Sequence, residues 1–221
     1  MYSIKERIDY YNKAIGGKGT KLIGVTKTVP IDRIKEAYAS GLRDFGENKV
    51  QELLSKIHAL PSSIRWHFIG HLQSNKVSAL LKNNIYLIHS VDSLKLASFI
   101  DKYAAQNGKV QNILLEVNVT GEESKSGYMG EEALLCDMKA LLALKNIKIM
   151  GLMCIAQKGE NATQYFKKLS ALKDKINKTF DVGFTELSMG MTDDYLEAIN
   201  CGSTYIRIGR GIFGERIYPA N

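Results

Sequence analysis

Cysteine and proline are scarce in this 221-residue chain, at three residues each. The cysteines, Cys136, Cys154 and Cys201, are odd in number, widely spaced and without a CxxC pair. That excludes a disulfide framework and a zinc knuckle, and it fits reduced thiols in a cytoplasmic protein. With little proline and no Ser/Gly-rich linker, no boundary divides the chain, so a single domain over residues 1–221 is expected. Long hydrophobic runs are missing. The longest, IMGLMCIA, is far shorter than the roughly 20 residues that cross a bilayer, so no membrane partner is expected. The first residues, MYSIKERIDYYNKAI, are charged and helical in pattern, without the apolar centre of a signal peptide. There is no GxSxG elbow, no GxxxxGK[ST] loop, and no GxGxxG with an acid about twenty residues further on.

Positive charge is in excess. Thirty Lys and Arg against 23 Asp and Glu give a net charge of +7. A charge of that sign suits an anionic ligand or nucleic acid. The lysines are spread along the chain, however, many at helical spacing beside acids, and read as solvated helix faces. The basic segment IGHLQSNKVSALLKN reads the same way, and no nucleic-acid partner is expected.

What the chain does contain is a repeated alternation. Short apolar runs occur at KLIGVTK, RDFGEN, RWHFIG, IYLIHSV, NILLEVNV, IKIMGLMCIA, TELSMG and TYIRIG. Several are almost continuously apolar, as expected of parallel strands covered on both faces. Helical patterns separate them. IDRIKEAYASG ends on Gly41, KVQELLSKIHAL stops at Pro61, and SLKLASFIDKYAAQNG ends on Gly108. EEALLCDMKALLAL and ATQYFKKLSALKDKINKTF follow, and TDDYLEAINCG opens with Thr192 in the N-cap position. Eight β-then-α units without hairpin signals predict an α/β fold, a single (β/α)8 TIM barrel. A doubly wound open sheet is the alternative.

Barrels carry their chemistry at the carboxyl ends of the strands. The residues predicted there are Lys27, Glu47, Asn48, His67, His71, His89, Asn118, Ser188 to Thr192, Arg207, Gly209 and Arg210. In SMGMT and RIGRG, glycines and small hydroxyl residues follow the seventh and eighth runs. These are the two loops that commonly hold phosphate in such barrels. A phosphate site together with a lysine after the first strand suggests pyridoxal 5′-phosphate (PLP), whose aldehyde forms a Schiff base with an amine. His67 and His71 stand four apart like a zinc pair. Phe68 rather than Glu follows His67, and Gly70 argues against a helix, so no metal site is expected.

The sequence also resembles the pyridoxal phosphate homeostasis proteins, relatives of the N-terminal barrel of alanine racemase with the fold-type III PLP architecture. The resemblance is carried by GVTKTVP, DFGENKVQE, WHFIGHLQSNK, EVNVTGEESKSG, GLMCI, LSMGMTDDYLEAI and STYIRIGRGIFGER, in order over nearly the whole chain. It implies that Lys27 is the Schiff-base lysine. It also implies that Thr192, where the family more often has serine, gives a hydroxyl to the phosphate, with backbone amides from Gly209 and Arg210. Ser188 and Met189 would line the end of the seventh strand, Asn48 would stand close to the ring, and Arg207 would face the pyridine nitrogen.

An arginine there stays protonated and cannot support a pyridinium, so the ring is a weaker electron sink. Alanine racemase adds an acid/base tyrosine from elsewhere. Here that base is expected to be missing, with Tyr218 or a histidine as the substitutes within the chain. The resemblance therefore implies a PLP carrier or buffer without robust catalysis, expected to be a monomer, with PLP-dependent apoenzymes as partners. The alternatives are a one-base amino-acid racemase and a nucleic-acid or partner-binding module.

Overall fold

A computed structural model describes residues 2–122, 125–157 and 161–215. Among these residues nine strands run in chain order: β1 (Lys21–Val25), β2 (Asp44–Glu47), β3 (Arg65–Phe68), β4 (Leu87–Val91), β5 (Gln111–Asn118), β6 (Tyr128–Met129), β7 (Ile147–Met153), β8 (Glu186–Ser188) and β9 (Tyr205–Ile208). All their pairings are parallel. The order is β4-β3-β2-β1-β9-β8-β7-β5, and a further β4–β5 pairing joins the two ends. The sheet is therefore a closed eight-stranded barrel, and the open-sheet alternative falls. The ninth strand, β6, was not expected. It is a two-residue strand paired in parallel with Val117 and Asn118 at the end of β5, beyond the loop that Asn118 ties down, where Asn118 Nδ2 donates to Glu122 O at 2.7 Å and Oδ1 accepts from Gly121 N at 3.1 Å.

Among the described residues nine α-helices surround the barrel: α1 (Ile4–Ile15), α2 (Ile31–Ala39), α3 (Val50–Ile57), α4 (Val77–Leu81), α5 (Leu94–Gln106), α6 (Gly130–Leu142), α7 (Ala162–Phe180), α8 (Tyr195–Asn200) and α9 (Arg210–Phe213). Local chemistry starts several of them. Ser3 and Glu6 form a reciprocal capping box on α1, Ser93 Oγ accepts from Leu96 N on α5, and Asn161 Oδ1 accepts from Thr163 N on α7. Thr192 does not cap α8, contrary to expectation. Asp194 Oδ1 accepts from Met191 N at 2.5 Å and closes a turn first, so the helix begins only at Tyr195.

Strand side chains alternate between two faces. The outer set, including Leu22, Phe45, Trp66, Phe68, Ile88, Leu115, Leu152, Leu187 and Ile206, packs with the helices into the main apolar core. Burying each such side chain stabilises the fold by roughly 1.5–3 kcal/mol. The inner set contains a small apolar cluster of Ile23, Leu87, Leu114, Met153 and Tyr205. It also contains His67, His89, Ser188 and Arg207, all buried. Among the described residues no helix is long and apolar enough to cross a membrane.

Candidate functional site

The period of two along each strand decides which side chains face the carboxyl end of the barrel. Counting inward-facing positions upward leads from Ile23 to Val25 and Lys27, from Leu114 to Glu116, and from Tyr205 to Arg207 and Gly209. Val25, Lys27, Asn48, Glu116, Arg207 and Gly209 meet there on one cleft of about 410 Å³, joined by Ile69, Gly70, His71, Thr192 and Arg210. A second cleft of about 290 Å³ shares Lys27, Gly209 and Arg210 with it.

Lys27 lies in the turn after β1, two residues beyond the strand, and both of its flanks are pinned. Thr26 is fully buried, and its Oγ1 donates to Glu47 Oε1 at 2.6 Å. Thr28 has φ +63, a conformation that a β-branched residue resists. It is held there by donating its backbone N–H to Glu52 Oε1 at 2.6 Å. Lys56, on α3, ties the two flanks together. Its Nζ donates to Thr26 O at 2.8 Å, Glu47 Oε1 at 2.8 Å and Glu52 Oε1 at 2.7 Å. Burial pushes the Glu47 carboxyl up, and Lys56 and Thr26 pull it back. Glu47, expected at the site, thus serves from behind the turn.

Arg207 forms the floor. It is buried, donating from Nη1 to Ser188 Oγ at 2.6 Å and from Nη2 to Cys154 O at 2.9 Å. Burial lowers its pKa, partly opposed by Cys154, Glu116 and Asp194. Beside it stands Glu116, also buried, whose carboxyl is pushed up to about 7 by burial and by Asp92, with Arg207 opposing. Sequence reading passed over Glu116. The available signal was a lone carboxylate inside the apolar run NILLEVNV.

The rim comes from loops. After β8, Gly190 has φ +93, and a Cβ there would meet Ala198 Cβ at 2.5 Å, so this turn requires glycine. Arg210 Nη2 joins Asp193 Oδ2 at 3.0 Å, which ties the β8 loop to the β9 loop. Across the cleft, a Cβ on Gly70 would stand 2.2 Å from Asn48 O, so the β3 loop passes tightly over Asn48. Asn48 Oδ1 is buried without a hydrogen-bond partner among the described residues. A buried polar atom on a cleft wall without a partner is costly unless a ligand completes it.

Of the residues predicted for cofactor binding, Lys27, Asn48, Thr192, Arg207, Gly209 and Arg210 line this cleft. Ser188 does not line it but sits beneath, holding Arg207. Met189 is fully buried in the outer core. His67 and His89 point into the barrel interior, whereas His71 is exposed at the cleft with Nδ1 3.3 Å from Asp92 Oδ2. Tyr218 lies outside the described residues.

Known proteins share this sequence pattern and fold. Residues 2–217 match the family model of the alanine racemase N-terminal domain. A pyridoxal phosphate homeostasis protein of Aquifex aeolicus is 45% identical over 211 residues, 92% of this chain and 90% of its own length. Its human counterpart is 38% identical over 90% of this chain and 77% of its own length. Among solved structures, PipY of Synechococcus elongatus with PLP bound superposes with a TM-score of 0.89 at 34% identity, over 96% of this chain and all of that one. From the closed barrel, the cleft at its carboxyl end and these likenesses together, the chain belongs to the pyridoxal phosphate homeostasis proteins, within the alanine racemase N-terminal-domain family.

Proposed function

We propose that this chain binds PLP in the carboxyl-end cleft and acts in PLP homeostasis, as a carrier or buffer rather than a high-turnover enzyme. The observation that carries the reading is the convergence of Lys27, Asn48, Thr192, Arg207, Gly209 and Arg210 on one cleft. The donor set suits the cofactor. Asn48 offers a buried amide atom in need of a partner, and Arg207 is a fixed donor on the floor. PLP, when bound, supplies an aldehyde for a Schiff base and an electron-accepting ring.

Lys27 would provide the amine, held at one reach by the pinned turn. The Thr192 hydroxyl and the N–H groups of Gly209 and Arg210, which open α9 without intrahelical partners, would take the phosphate. Arg207 would donate to the pyridine nitrogen. Asn48 would orient the ring, and Ser188 would hold Arg207 from beneath. Arg207 keeps its own proton and leaves the ring nitrogen without one, so carbanion chemistry is weakly supported. One barrel domain over 1–221, acting as a monomer in the cytoplasm and passing PLP to apoenzymes, completes the reading. Sedimentation velocity checks the monomer.

The test is spectroscopic. Purified protein incubated with PLP is expected to show the visible absorbance of a lysine Schiff base, and Lys27→Ala is expected to lose it. An unchanged band in that variant overturns the role of Lys27. One observation favours a second reading, a racemase-like enzyme: Glu116 is a carboxyl on the cleft that can carry a proton near neutral pH. That reading requires solvent deuterium to enter Cα of an amino acid, with loss in both Lys27→Ala and Glu116→Gln.

A further inference from the structure

Below the cleft, the inner face of the barrel holds a polar assembly that PLP binding does not account for. Arg207 Nη1 donates to Ser188 Oγ at 2.6 Å, and Ser188 Oγ stands 2.8 Å from His89 Nδ1. His89 Nε2 lies 2.9 Å from His67 Nδ1, and His67 Nε2 lies 2.9 Å from Asp44 Oδ1. Asp44 also accepts from Arg65, from Nε at 2.7 Å and from Nη2 at 2.5 Å. β9, β8, β4, β3 and β2 each contribute one member between Arg207 and Asp44. The line therefore runs from the floor of the cleft through the barrel interior to Asp44 and Arg65, which open β2 and β3 at the opposite end. Ser188, His89 and His67 are wholly buried.

Distances do not say which atom donates, but charge does. Burial raises the Asp44 carboxyl, but the two hydrogen bonds it accepts from Arg65, together with His67, outweigh that and hold it at about 2. As an ionised carboxylate it only accepts, so His67 carries its hydrogen on Nε2. His67 itself is uncharged. Its ring is out of water, packed against the rings of Tyr86 and Tyr205, and Arg65 already supplies the cation that Asp44 needs. His67 Nδ1 therefore accepts, which places the hydrogen of His89 on Nε2. Burial, His67 and Arg207 keep His89 neutral as well, so its Nδ1 accepts from the Ser188 hydroxyl. The Ser188 oxygen in turn accepts from Arg207. Every hydrogen bond points the same way, from Arg207 to Asp44, and every member is satisfied by that one arrangement.

We infer that Ser188, His89, His67 and Asp44 are positioning residues for Arg207, a one-way hydrogen-bond chain that fixes its guanidinium against the floor of the cleft. Cys154 O supplies the second fixed contact, at 2.9 Å from Nη2. The remaining N–H edge of Arg207 is thereby presented to the cleft in one orientation. Because each link sets the next, the direction is collective. In Asp44→Asn the side-chain amide can accept from Arg65 and donate to His67 Nε2. Both imidazoles then carry the hydrogen on Nδ1, and Ser188 must accept from both sides.

The inference rests on the PLP reading for what Arg207 touches, but not for the chain itself, and the experiment separates the two. In protein labelled with 15N-histidine and free of cofactor, long-range 1H–15N spectra at neutral pH are expected to show His67 and His89 as neutral Nε2–H tautomers. Both are expected to switch to Nδ1–H in Asp44→Asn. A doubly protonated His67, or mixed tautomers at either ring in the wild type, overturns the chain. The grip on Arg207 is read in the same cofactor-free protein from its guanidinium N–H signals. They are expected to be resolved and slow to exchange in the wild type and in His89→Gln, which keeps one donor and one acceptor, and to be lost in His89→Leu. Equal behaviour of the two variants overturns the positioning role. With PLP added, His89→Leu is expected to bind about tenfold more weakly than His89→Gln, the scale typical of a partner behind a binding residue. Failure of the wild type to take up PLP rejects the proposed function, while the tautomers and the Arg207 signals still decide the chain.

Discussion

The two faces of the barrel strands are built from different chemistry. The outer face is a continuous apolar layer under the helices, with Phe45, Trp66, Phe68, Ile88 and Leu187 among its members. The inner face alternates Ile23, Leu87, Leu114 and Met153 with Asp44, His67, His89, Glu116, Ser188 and Arg207. Apolar burial on the outside is non-directional and depends on area. The polar groups inside are tolerable only while each has its partner, because a buried group that loses one carries the whole cost of desolvation. One step along a strand therefore separates residues packed under the helices from polar residues that line the cleft or lie beneath it.

Substitutions on the two faces break this comparison in different ways. The largest expected effect is on the outside. Phe68→Ala is expected to lose about 3–5 kcal/mol in urea unfolding, through lost burial and the cavity left behind. The folded fraction should retain the wild-type affinity for PLP; a matching loss of affinity would show that the two faces are not separable.

Glu116 comes next. Its carboxyl is at about 7 when folded against an ordinary 4.5, so the folded chain keeps a proton that the unfolded chain has released. Stability is then complete below about pH 4.5 and falls as the pH rises towards 7. Glu116→Gln is expected to abolish the decline and to exceed the wild type by about 3 kcal/mol at pH 8. A pH-independent difference would mean that the carboxyl is solvated.

Asp44 has the opposite sign. Burial raises its carboxyl, but Arg65 and His67 outweigh that and hold it at about 2 against an ordinary 3.8. Its contribution, about 2 kcal/mol, is present above about pH 4 and lost as the pH falls through 2. The advantage of the wild type over Asp44→Asn should shrink over that window. The smallest effect belongs to the rim, where the Asp193–Arg210 pair is largely exposed. Asp193→Asn is expected to change stability by less than about 0.5 kcal/mol.

Much of this was legible in the sequence. Every strand except β6, and the helices α2, α3, α5, α6 and α7, fall where the apolar runs and the helical patterns put them, because they follow from local periodicity. The glycine loops after β8 and β9 were also visible, since Gly190 has no alternative at its turn. Other features were not visible. Thr192 resembles an N-cap, but a side chain two residues later competes for the turn and delays the helix. Met189 shares a motif with Ser188, yet alternation along the strand sends it to the opposite face. Glu116 and the pinning of Lys27 by Lys56 were missed because the partners come from different strands and helices.

By itself the sequence determined the β/α alternation, the lysine after the first strand, the two glycine-rich loops and the family. These depend on spacing within a few residues, or on motifs that survive as written words. Only the tertiary structure decided that the sheet closes, through the β4–β5 pairing, and which of two neighbouring side chains faces the cleft. It alone joined Arg207 to Asp44. Ser188 and His89 are 99 residues apart in sequence and 2.8 Å apart in the barrel. The physical reason is that a hydrogen bond is set by distance and direction in space, and closing the barrel is what brings five separate strands within that reach.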